Sequence, residues 1–193
     1  MRRRTFWRVL SLSGFAIDEE NYMHILKTCL SIIDRVNEWV ARVVSWAILL
    51  IIGSTVYEVV MRYVFAAPTE WSFEFNYLLH GAYFMLLGAF TYAVQGHVNV
   101  DILYARFSPR RKAIADLFTA PMFFFFMAMM LVYGGQFALQ SIAFRERLSS
   151  AWAPPIYPVK LVIPVAAALL ILQGSAKFIR DFHTAVTGRE GAL

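Results

Sequence analysis

Long apolar runs separated by short charged connections set the pattern of this chain. Residues 75–94 carry no charge, nor do residues 117–144, which follow Asp116. Residues 161–176 are uncharged and extend outward through AWAPPIYPV, interrupted by Lys160. A fourth run, 43–57, lies between Arg42 and Glu58. A membrane-crossing helix needs about 20 apolar residues. The pattern predicts an all-α membrane protein with four transmembrane helices, at about 39–65, 70–94, 109–144 and 158–180.

Outside the spans the periodicity changes. Tyr22, Ile25, Leu26, Cys29, Ile33, Val36 and Val40 recur at helical spacing, with His24, Lys27, Thr28, Ser31, Asp34, Arg35 and Glu38 mostly on the other side. Residues 21–38 therefore read as an amphipathic interfacial helix leading into the first span. A cytoplasmic extension of that span, packed on a partner, fits the pattern equally well. Residues 1–20 read as a basic, disordered tail and 181–193 as a C-terminal tail. Arg3-Arg4 is not a convincing export signal, because the apolar stretch after it is short and runs into Asp18, Glu19 and Glu20. Between the second and third spans, Val98, Val100, Ile102, Leu103 and Phe107 suggest a short interfacial segment. Ser108-Pro109 then forms a helix start, with Ser at the N-cap and Pro at the first helical position.

Composition strengthens the membrane reading. Hydrophobic residues make up 59% of the 193 and charged residues 16%, against roughly half and a quarter in soluble domains. Mean hydropathy is +0.55. Too few polar residues remain to cover a core in water. The net charge of +5 is better read as topology than as nucleic-acid binding, since the basic residues sit between apolar runs. Fourteen lysines and arginines fall on the side of the two termini and of the connection between spans two and three; four fall on the other. That places both termini in the cytoplasm. The single cysteine, Cys29, excludes a CxxC redox pair.

Charge concentrates at one seam, RYVFAAPTEWSFEFNYLLHG, residues 62–81. Glu58 and Arg62 share a helix face at i, i+4, near Ile51, Ser54 and Thr55. Pro68 closes a short turn and Thr69 is placed to cap the second span. Glu70 and Glu74 adjoin its first turns, where negative charge suits the helix dipole. An Arg62–Glu74 pair, with Glu58 as a second partner, would lower the cost of placing these groups in a low-dielectric region. A proton or ion relay is the functional reading of such a cluster. A structural ion pair locking two helices is preferred, because the cluster sits at a helix end and no matching carboxylate or amide cluster lies mid-membrane on the last two spans.

Two further patterns favour helix contact over chemistry. Glu74, Gly81, Gly88 and Gln95 recur every seven residues, and Ala166, Ala167, Ala168, Gly174 and Ser175 give the last span a small-residue surface. His80 lies inside a span, but a bis-histidine haem needs a second histidine at its depth, and His24, His97 and His183 lie near the cytoplasmic edge. No HExxH, Cys/His metal set, GxSxG or phosphate loop occurs, so no catalytic, cofactor or metal residue is assigned.

From about Asp34 to Arg180 the chain resembles the small membrane subunit of tripartite ATP-independent periplasmic (TRAP) transporters, the DctQ-like family. The resemblance rests on Arg62-Tyr63-Val64-Phe65, Pro68, Trp71, Glu74 and Gly88, then Gly96-His97-Val98-Asn99-Val100-Asp101 before Ser108-Pro109-Arg110-Arg111, then Pro154, Pro155, Pro158 and Pro164. It implies a non-catalytic scaffold in a bacterial inner membrane. Its partners would be a large multi-span subunit that carries substrate and sodium, and a periplasmic substrate-binding protein. Glu58, Arg62, Trp71, Glu74, Gly88, His97 and Asp101 become structural or partner-interface residues. No cofactor is implied beyond the sodium gradient used by the large subunit. The rival readings are a stand-alone proton-coupled transporter using Glu58 or Glu74, and a membrane anchor of a redox complex with His80 touching a cofactor.

Overall fold

A computed structural model describes residues 19–94 and 107–188. Five helices account for most of them: α1 (Glu19–Ser45), α2 (Ala47–Tyr63), α3 (Ser72–Ala93), α4 (Pro109–Ala143) and α5 (Tyr157–Thr187). No strand occurs among the described residues; an isolated antiparallel bridge joins Arg147 to Pro155. Three helical stretches are long and apolar enough to cross a membrane: His24–Tyr63, Arg110–Ala143 and Tyr157–Thr187. α3 is not among them, although its 22 residues reach about 33 Å at the usual helical rise.

In the N-terminal region the boundary between two helices falls later than residue 38. The chain is helical through residue 38 without a break, since Arg35, Glu38 and Arg42 are spaced for helix support and no breaker intervenes. The interruption falls at Trp46. There Trp46 N–H donates to the Val43 carbonyl (3.3 Å) and Leu49 N–H to the Trp46 carbonyl (3.2 Å), one tightened turn of the i→i+3 kind. The packed face of α1 is also rotated from the apolar face read in the sequence. Leu30, Asn37 and Ala41 are buried, while Ile25 and Val36 are exposed.

At the other ends the local chemistry is plain. Ser108 is extended at the N-cap of α4, with Pro109 in the first turn; its carbonyl, rather than its hydroxyl, receives Arg111 N–H (2.8 Å) and Lys112 N–H (3.0 Å). α5 runs past residue 180 to Thr187 and stops at Gly188, whose left-handed φ of 73° lets its N–H close back on the Thr184 carbonyl at 2.8 Å. The residues read as an interfacial segment between the second and third spans, His97 and Asp101 among them, lie outside the described residues except for Phe107. So does the basic tail up to residue 18.

α5 is the centre of the arrangement, packed against α4, α3 and α1; α3 packs in turn on α1 and α2. Among the described residues the fully covered apolar side chains are Leu30, Ile51 and seven alanines. Small residues at the crossings let the backbones approach. Gly174 of α5 lies where a Cβ would come 2.4 Å from Phe123 of α4, and Gly134 of α4 where one would come 2.7 Å from Ile163 of α5. The large apolar side chains face outward, including Phe118, Met122 and Phe125 on α4 and Leu49, Leu50 and Val56 on α2. Such a surface suits lipid as the outer solvent.

Candidate functional site

The seam at the α2–α3 connection is built, but not with the expected pairing. Arg62 donates through Nε (3.0 Å) and Nη2 (2.6 Å) to Oε1 of Glu58. The other carboxylate oxygen of Glu58 accepts the Thr69 N–H (3.1 Å) and the Thr69 hydroxyl. Glu58 thus folds the turn after α2 back onto its own helix. Thr69 does not cap α3, which begins at Ser72 with Trp71 at a cap position that makes no side-chain bond. Arg62 and Glu74 are not paired: the guanidinium turns Nε and Nη2 to Glu58, one turn below it on the same face, and Glu74 binds Ser150 instead. Below the seam, Ser54 donates to Asn76 Oδ1 (2.7 Å), and the buried Ser72 hydroxyl donates to the Ser54 carbonyl (3.2 Å).

Glu74 reaches a different element. It accepts the Ser150 hydroxyl at 2.8 Å, from the turn between α4 and α5, and the same hydroxyl accepts Ala153 N–H at 3.1 Å. That turn is a compact hairpin: Leu148 N–H donates to the Pro154 carbonyl (3.0 Å), Ile156 N–H to the Glu146 carbonyl (3.1 Å), and Arg147 to the Ala153 carbonyl (3.2 Å). Trp71 joins the two connections. Its ring lies 5.9 Å from Tyr57, stacked, 6.0 Å from Phe75, edge-on, and 6.5 Å from Trp152 of the hairpin. Aromatic clusters of this kind belong at a membrane–water interface. Lys160, at the first turn of α5, pairs with Glu146 and rests 3.9 Å above the Phe137 ring. Its ammonium holds the Glu146 carboxyl below the ordinary glutamate range.

A second polar cluster joins α1, α4 and α5. At the opposite end of the layer, Asn37 of α1 donates to Gln173 Oε1 of α5 at 2.6 Å, with both side chains buried. Gln173 donates to Asp34 Oδ1 at 2.9 Å, and Arg180 to Asp34 Oδ2 at 2.5 Å. Alongside, Lys177 joins Asp116 of α4 and Asp181 of α5, the latter at 2.7 Å. The partners are distant in sequence, so no local pattern brings them together. Gln173 within an otherwise apolar run was the available signal, since a buried amide requires partners.

The small-residue stripe on α3 is less engaged than the one on α5. A Cβ at Gly81 would meet nothing within 4 Å, and one at Gly88 would lie 3.9 Å from Leu170, an ordinary contact; Gln95 lies outside the described residues. His80 Nδ1 lies 3.0 Å from the Asn76 carbonyl on its own helix. Among the described residues no group of three or more His, Cys, Asp or Glu could hold a metal ion.

Residues 51–184, more than two thirds of the 193-residue chain, match the family model of the DctQ component of tripartite ATP-independent periplasmic transporters. The chain belongs to the DctQ family. No curated protein gives a significant match to it. The DctQ match spans the α2–α3 connection, the hairpin and the α5 half of the inner cluster, and leaves the whole of α1 and the first four residues of α2 outside. DctQ proteins are components of a transporter rather than enzymes, and work with a large TRAP subunit and a periplasmic binding protein.

Proposed function

We propose that this DctQ chain is the scaffold subunit of a sodium-coupled TRAP importer of small organic anions. It holds four helices across a bacterial inner membrane, α2 to α5, with both termini in the cytoplasm. The large subunit carries substrate and sodium; the periplasmic protein delivers the substrate to it. The observation that carries the scaffold role is the pairing of the polar groups. Glu58 is saturated by Arg62 and Thr69, Glu74 is tied to Ser150, and Gln173 bridges Asn37 and Asp34. Each pair fastens a helix to its neighbour or a connection to its helix.

The topology has its own support. The Glu74–Ser150 bond puts the α2–α3 and α4–α5 connections on one face. The Asp34–Arg180 pair and the Arg110 bond to the Ala185 carbonyl (3.0 Å) put α1, the α4 start and the α5 end on the other. This is the even-span arrangement that the basic residues describe, with the richer side inside. The test is reconstitution in sealed vesicles with a large TRAP subunit and its binding protein. Uptake that needs all three proteins and a sodium gradient is expected. Uptake by this chain alone would overturn the reading.

A further inference from the structure

We draw no further inference here: the strongest candidate, the hydrogen-bonded Arg180–Asp34–Gln173–Asn37 cluster between α1 and α5, belongs to the site already described, where these side chains bind one another and hold the two helices together.

Discussion

Arg62 places two donors on one carboxylate oxygen of Glu58, its i−4 neighbour, while Glu74 is held by Ser150 of the hairpin. The two glutamates of the seam therefore belong to different locks. Arg62→Ala and Glu58→Ala should be strongly non-additive in thermal stability, since each removes the same bond. Arg62→Ala and Glu74→Ala should add, because they share no partner. Glu58→Ala should cost more than Arg62→Ala, as it also frees Thr69 and with it the turn into α3. A double-mutant cycle on the purified protein in detergent measures all three. Coupling between Arg62 and Glu74 would show that the two glutamates do not belong to separate locks.

The Asn37–Gln173 bond fixes α1 to α5 in a dry contact. Gln173→Leu should destabilise the chain by roughly 1–3 kcal/mol, the usual cost of stranding a buried polar group. Asp34 loses a donor in the same change. Asn37→Leu on that background should recover part of the loss, because it removes the stranded amide. Denaturation monitored by circular dichroism gives the comparison.

What the sequence disclosed and what it hid follow one physical division. Features set within a helix were readable: the apolar runs, the Ser108-Pro109 start, and Glu58–Arg62 at i, i+4, whose proximity is a property of the helix itself. Features set by which helices meet were not. Asn37 and Gln173 are 136 residues apart, and Glu74 and Ser150 are 76 apart. No local pattern reports such a meeting. The side of α1 that packs within the chain was not legible for a related reason: Asn37 is polar, yet it is buried because it has a partner on α5, 136 residues away. Thr69 has good capping chemistry, yet Glu58 offered it a charged acceptor.

The hairpin between α4 and α5 should loosen with acid. Lys160 holds the Glu146 carboxyl below its ordinary range. The stabilisation it lends is therefore complete above the unfolded glutamate value, about 4.3, and is lost as pH falls through the lower folded value. Melting temperature should drop across that window in the native chain. Lys160→Met should remove that part of the pH dependence while leaving the acid titration of other carboxylates in place. An unchanged pH profile in Lys160→Met would mean the pair does not hold the hairpin.

The glycines separate the contacts made within the chain from those left for others. A methyl group at Gly174 would sit 2.4 Å from Cε1 of Phe123, whose ring is stacked on Tyr92 at 5.0 Å and so has little room to turn. Gly174→Ala should destabilise the α4–α5 contact by about 1–3 kcal/mol, the range for overpacking a tight site. Phe123→Leu on that background should restore part of the loss by withdrawing the ring. Gly81→Ala meets nothing within 4 Å, and alanine is a better helix former than glycine by about 1 kcal/mol, so the isolated chain should gain slightly. The same change measured in the assembled transporter is the informative comparison. If α3 packs closely on the large subunit at Gly81, the gain should turn into reduced recovery of the complex. If that surface faces lipid, Gly81→Ala should stabilise chain and complex alike.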